Sequence, residues 1–200
     1  MAVSLADLVT NVTALTKRNG IDGITKHAIR TAIRQAHSLD FFRGDLSTGS
    51  LSYTASTTPT YDIANFTASL PRCRALDTVM GYDVTNTPVE SFEYRDTDDL
   101  YDSDNIRRPS VYTVIGSTMR IAPLKPTGII KVTFFQLPDL SDDNFASWIV
   151  EKYQYEIEAW AAQIVHARVG NESISNSMLT QSVQPFKAEL VANELLAYAR

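Results

Sequence analysis

The sequence is poor in the residues that usually carry chemistry or staple a small domain. Its one cysteine, Cys73, excludes an internal disulfide framework and any zinc site built on cysteine pairs. Its histidines are His27, His37 and His166, and the first two stand ten residues apart. That is not the four-residue spacing that puts two imidazoles on one helix face for a metal. No run approaches the roughly 18 apolar residues of a membrane-spanning helix, so no membrane association is expected. The opening "MAVSLADLVTNVTAL" lacks a positive leader region and an unbroken apolar core, so it is not expected to be a signal peptide. Also missing are the nucleophile elbow, the paired-histidine zinc helix, the phosphate-binding loop and the dinucleotide fingerprint. Neither catalysis nor a cofactor is expected. Positive charge is in short supply too. The formal net charge of -5 argues against a chain whose main task is to wrap nucleic acid, because phosphate contacts need a basic surface.

What is present is an ordinary globular composition, 44% hydrophobic and 20% charged, so the chain can bury a core without staples. The N-terminal segment reads as a helical hairpin. Ser4 and Asp7 have capping-box spacing, in which side chains satisfy orphan amides of the first turn. Leu5, Leu8, Val12 and Leu15 then share a face, and Asn19-Gly20 is a stop signal. A second helix is predicted from near Thr25, with Ile24, Ala28, Ala32 and Ala36 as its apolar stripe and Ile29 and Ile33 widening it.

From about Asp40 to Leu140 the chain is rich in Thr, Tyr, Val, Ser and Pro. "LSYTA" alternates, with Leu51, Tyr53 and Ala55 on one side. "TYDIANF" and "RALDTVMGYDV" are further strand-like runs. Val111 to Ile115 and Met119 to Ala122 form a hairpin, with Gly116-Ser117 as its turn because glycine at the first central position suits a type II′ bend. Ile129 to Phe135 is the strongest strand, and Pro123 and Pro126 fall in the connection before it, where no ladder amide is needed. Helix returns after Leu140, with Asp142, Asp143 and Asn144 as N-cap types. Trp148, Tyr155, Ile157, Ala159, Trp160, Ala161, Ala162 and Ile164 spread apolar character over several faces, so this helix is expected to be widely buried. Gly170-Asn171 ends it. A last helical stretch runs from about Ser173 and is broken or kinked at Pro185. The predicted fold class is α+β: an antiparallel helical bundle made by the N- and C-terminal helices, with an inserted β-rich lobe. The predicted division is 1–39, 40–140 and 141–200.

Candidate chemistry is sparse. The three histidines read as structural or surface residues, His166 in a last helical turn where the dipole favours a cation. Cys73 lies between Arg72 and Arg74, and flanking cations lower a thiol pKa. Strand alternation would point both arginines away, so a buried strand cysteine is expected. Glu90 to Asn105 carries seven acids and one arginine. It lacks the glycine and terminal glutamate spacing of a calcium loop and reads as a solvated acidic loop.

The run from Arg107 to Glu172 resembles bacteriophage head–tail adaptor proteins, also called connector or head-completion proteins. The shared elements are Pro109 with Tyr112, Gly116, Met119 to Pro123, Phe134-Phe135 with Pro138 and Leu140, and Asn144 with Trp148. Upstream, "TYDIANF" is similar to the family's Tyr-x-Leu-Pro-x-Asp-Phe strand, with Ala64 and Asn65 in place of proline and aspartate. "SLADLVTNVTAL" and "HAIRTAIRQAHSLDFF" match its two leading helices. The resemblance implies a non-enzymatic virion protein at the head–tail junction, assembled in the host cytoplasm. Such a protein forms a homo-oligomeric ring, a dodecamer, beneath the portal protein. It extends the DNA channel without sequence readout, docks a tail or nozzle protein and serves genome ejection. It also implies that the C-terminal segment docks into the portal through Phe186, Leu190, Leu195, Leu196 and Tyr198, with Arg200 as a rim charge. The other reading is that this apolar end packs back on its own bundle. Inter-subunit or tail contacts are expected between the acids Asp98, Asp99 and Asp102 and the arginines Arg107 and Arg108. An enzymatic or small-ligand-binding domain using the β lobe is the alternative class.

Overall fold

The computed structural model describes residues 4–53, 61–83, 85–96, 110–123 and 128–198, the side chains of 194–198 excepted. Contacts divide the chain into two compact units, Leu46–Gln136 and the flanking Met1–Asp45 with Leu137–Arg200.

In the flanking unit, helix α1 spans Leu5–Thr16 and buries Leu5, Leu8 and Val12. Ser4 caps it as its sequence foretells, its side chain accepting the Asp7 amide and its hydroxyl donating to the Asp7 carboxylate at 2.6 Å. The helix stops before Asn19-Gly20, because Lys17 turns left-handed at φ 51. Helix α2 spans Asp22–His37, one turn earlier than expected, so Ile24 falls on the exposed side while Ala28, Ile29, Ala32, Ile33 and Ala36 are buried.

The C-terminal helices are more broken than their periodicity suggests. Ser147, not Asp142 or Asn144, caps α4, Trp148–Lys152. Tyr153 leaves helical geometry at φ -133 and separates α4 from α5, Gln154–Arg168. Helix α6, Glu172–Met178, runs through a π-helical turn, Leu179–Val183, into α7, Gln184–Tyr198. Pro185 brings no amide to the ladder at this point, and a widened turn is one way a helix accommodates the missing bond. Helix α1 runs parallel to α5: the Leu5 amide donates to the Asp143 carbonyl, and Asn11 reaches Glu158 at 2.8 Å. Helix α5 is buried on several sides, through Ile157, Trp160, Ala161, Ala162 and Val165.

The central unit is a single seven-stranded sheet in the order β1-β7-β3-β4-β5-β6-β2. The strands are β1 Leu46–Tyr53, β2 Tyr61–Ile63, β3 Cys73–Tyr82, β4 Pro88–Tyr94, β5 Val111–Ile115, β6 Thr118–Ala122 and β7 Gly128–Gln136. A short helix, α3, Phe66–Ser69, follows β2. Strand β7 is flanked on both sides, pairing β1 from Leu46↔Phe135 to Tyr53↔Gly128 and β3 on its other edge. Alternation is strict along it: Ile130, Val132 and Phe134 are buried, as period-two geometry requires of a strand with one face on a core. The β5–β6 turn is Gly116-Ser117, with Gly116 at φ +62 and Ser117 at ordinary negative φ, which is the II′ pattern. Strand β4 pairs antiparallel with β3 and then, through Glu93↔Val111 and Tyr94↔Tyr112, parallel with β5. That two-residue bridge makes one sheet of two antiparallel parts. The sheet curls until its edges approach, with the Tyr53 and Tyr61 rings 5.5 Å apart, around Leu51, Phe66, Leu70, Val79, Met119 and Ile121.

The architecture is therefore a correction to the expected one. It is a sheet-dominated α+β fold built on a curled half-barrel, not an antiparallel helical bundle carrying an inserted lobe. Short strands read one at a time do not reveal that seven of them hydrogen-bond into one element, because pairing partners are set by contacts distant in sequence. The acidic segment is corrected too. Its first residues form β4, which buries Glu90 and Phe92.

Replacing Ile130 by Ala should cost about 2–5 kcal/mol, as for a fully buried branched side chain. Ile129→Ala, one residue away on the less buried face, should cost clearly less. Urea unfolding of the two variants checks this, and equal losses would contradict the assigned face of β7.

Candidate functional site

The most organised polar group of the flanking unit is a buried Ser–His–Asp arrangement. Helix α2 delivers His37 in its last turn. The short 3-10 turn Arg43–Asp45 delivers Asp45, and Ser147 stands at the N-cap of α4. His37 Nδ1 lies 2.7 Å from Asp45 Oδ1, and His37 Nε2 lies 2.9 Å from Ser147 Oγ. The Trp148 indole N–H donates to the same Asp45 oxygen at 2.7 Å. Its ring packs edge-on to His37 and Phe42 at 5.9 and 5.6 Å between centroids. Gly44 permits this, since a Cβ there would stand 2.7 Å from the indole.

The order Asp–His–Ser is that of a nucleophilic relay. Its setting is not. His37, Ser147 and Asp45 are 2%, 5% and 7% exposed, so a substrate carbonyl has no approach. Ser147 Oγ also accepts the Val150 amide at 3.4 Å, which commits the hydroxyl to capping. What the geometry does is satisfy buried polar groups mutually, joining the end of the N-terminal helices to the start of the C-terminal ones. The structure places His37 in the interior of the flanking unit. Asp45 and Ser147 were not singled out, because they stand 8 and 110 residues from it and no local spacing links them.

The other predicted sites resolve differently. His166 is buried in the last turn of α5; burial and then the Arg18 charge push its pKa below the ordinary 6.5. Cys73 opens β3 half-buried, and burial raises its thiol pKa, so the flanking arginines do not activate it. Phe186 and Leu190 sit in the core of the flanking unit, 3% and 0% exposed. Phe186 packs against Tyr153 and Trp160 at 5.5 and 6.3 Å. Burial within the chain accounts for their apolar character, which removes them from the set of free anchors. The side chains of Leu195, Leu196 and Tyr198 lie outside the described residues, as do Arg200, Asp98, Asp99, Asp102, Arg107 and Arg108. Inside the sheet, Ser110 donates to Glu90 at 2.8 Å. Burial, then the nearby Glu90 and Tyr61 charges, pushes the Tyr53 phenol up to about 12, which keeps it protonated. Among the described residues no group of three or more potential metal ligands converges. The large exposed apolar side chains among the described residues are led by Tyr155 at 69% and Tyr94 at 52%.

His37→Ala should lose about 3–5 kcal/mol, because it takes a close partner from the buried Asp45 carboxylate, leaves Ser147 Oγ without its His37 partner and opens a cavity. Ser147→Ala should lose roughly 1–2 kcal/mol with its cap and one hydrogen bond. Chemical denaturation reads both. A fluorophosphonate probe should leave native Ser147 unlabelled, and labelling would show an open, activated serine instead. His166 sets a pH dependence. Its folded pKa is depressed, so its contribution is complete above the ordinary 6.5 and is lost as pH falls below it, where the unfolded chain takes up the proton first. Thermal melts of wild type and His166→Gln between pH 7.5 and about pH 5 should converge as pH falls; parallel curves would contradict the burial of a neutral imidazole.

Compared with known proteins, the sequence matches no curated protein. The family model described as SU10 adaptor protein matches residues 3–193. The match spans both units, the buried Ser–His–Asp group and the whole sheet, and on it the chain belongs to the SU10 adaptor protein family, a family of phage head–tail adaptors.

Proposed function

We propose that this structural phage protein forms a homo-oligomeric ring, a dodecamer, beneath the portal. The ring would extend the DNA channel and present a docking surface to a tail or nozzle protein during genome ejection. The single observation that carries this reading is the family match over residues 3–193. Supporting it, the most enzyme-like constellation among the described residues is closed off from solvent and engaged in packing. The net charge of -5 suits a wall past which DNA slides, since a surface that does not bind phosphate does not brake it. Assembly in the host cytoplasm before joining the head completes the proposal.

Within this reading, the C-terminal end remains the proposed portal anchor, narrowed to the residues beyond the buried part of α7. Phe186 and Leu190 are used internally, which leaves Leu195, Leu196, Tyr198 and Arg200 for a helix-in-groove contact. The acids Asp98, Asp99 and Asp102 are proposed to meet Arg107 and Arg108 of a neighbouring copy, where opposite charges set register more than affinity.

Removing residues 193–200 should leave a folded protein, with a melting temperature within about 4 °C of the full chain. Phe186 and Leu190 stay in place, and a change below about 1 kcal/mol moves a domain of this size by no more than that. The truncated chain should no longer join portal rings in negative-stain micrographs, whereas the full chain should form a ring beneath them. A truncated chain that still joins would move the docking site elsewhere. A full chain that forms no ring with portal would refute the adaptor geometry proposed here.

A further inference from the structure

Strand β1 ends the strand order and, among the described residues, pairs only with β7, through all eight of its residues, Leu46–Tyr53, without a bulge. Over Leu46–Ser52 its other edge therefore presents alternate amides and carbonyls along roughly 24 Å, at about 3.4 Å per residue. Among the described residues, no other strand pairs with this edge, and no turn or loop backbone bond reaches Leu46–Ser52. Natural sheets guard such an edge with charge, proline, a bulge or shortness. Strand β1 has none of these guards. Its sequence, LSTGSLSY, has neither charge nor proline, and no charged residue occurs between Asp45 and Asp62. The far edge, β2, is guarded on two counts. It is three residues long, and its central Asp62 is clamped by Arg120 through bonds of 2.6 and 2.8 Å.

An unguarded edge in a soluble chain is an aggregation hazard unless a constant partner covers it. We infer that the outer edge of β1, Leu46 to Ser52, takes an extended strand from a second copy of this chain. The occupant follows from what the edge lacks. Main-chain hydrogen bonds supply affinity in strand addition, whereas side-chain pockets select the partner and its register. The exposed face of β1 is Leu46, Thr48, Ser50 and Ser52, three hydroxyl side chains and one leucine, which offers no charge or deep pocket to choose a foreign strand. Such an edge is specific only where other contacts already hold the register, as they do between identical subunits in a closed ring. This inference rests on the ring reading and adds to it the element through which subunits join.

Amide hydrogen exchange on the full chain, alone and assembled on portal, tests it directly. In the free chain every second amide of β1 should be protected by β7 and the others should exchange freely. On assembly the free set should slow by about tenfold or more. The double variant Thr48→Lys, Ser50→Lys changes only exposed positions and should keep the melting transition while weakening subunit–subunit association by about tenfold in sedimentation. If assembly proceeds with the outer amides still exchanging, or the lysine variant assembles as wild type does, the β1 inference falls and the adaptor reading stands. Protection that appears only when a tail protein is added would assign the edge to a different partner and overturn the second-copy occupant. If the chain joins neither itself nor portal, the adaptor reading falls and takes the inference with it.

Discussion

The Asp45 carboxylate is the constraint on which the flanking unit depends. It stands one residue before β1, so it marks where the chain leaves the helical unit. One of its oxygens takes both the His37 ring and the Trp148 indole N–H at 2.7 Å. A carboxylate at 7% exposure is tolerable only with such partners, since an unpaired buried charge costs several kcal/mol. Meeting that demand dictates much else. Helix α2 must end with His37 at this height, Gly44 must lack a side chain so that the indole can lie against it, and Ser147 must cap α4 while facing the imidazole. Polar satisfaction thus fixes the juncture of the N- and C-terminal segments more sharply than apolar packing alone, which tolerates slippage.

In the sheet the corresponding role falls to β7. It lies between β1 and β3 and buries every second side chain, so it contributes both ladders and core. Strand β4 extends this antiparallel part into the β5–β6 hairpin through only two parallel residue pairs. A join so short allows strong twist between the parts, and the curl that brings Tyr53 to Tyr61 encloses a core that a flat sheet would leave half-open. The result is a fold whose buried polar groups, Glu90 and Tyr53 among them, are held by neighbours or kept protonated.

An adaptor works by offering surfaces, and here the surfaces and the chemistry separate cleanly. His37, Asp45 and Ser147 are interior and engaged in packing, while large apolar side chains such as Tyr155 and Tyr94 are exposed. The features proposed for partner contacts are the backbone edge of β1 and the chain beyond the buried part of α7. Both are contacts in which shape and repetition set specificity more than reactive groups do.

Features resting on near neighbours could be read from the sequence itself. The Ser4 cap, the Gly116-Ser117 turn, the alternation of Leu51 with Tyr53 and of β7, and the broad burial of α5 all follow from period, capping and φ preference within a few residues. Head–tail adaptor membership was legible in the same way, through prolines, glycines and aromatics in order along the chain. Other features were decided only in three dimensions. Glu90 sits among acids and reads as loop, yet it pairs as strand because β3 offers it a ladder partner in Gly81. Phe186 and Leu190 read equally well as core or as anchor, and only tertiary packing places them inside, Phe186 against Tyr153 and Trp160 and Leu190 in the same core. His37, Asp45 and Ser147 become one group because folding brings together residues whose separation leaves no periodic trace. Sequence pattern reports which face of an element is apolar, and the partner that covers the face is set by long-range contacts whose energies no short window contains.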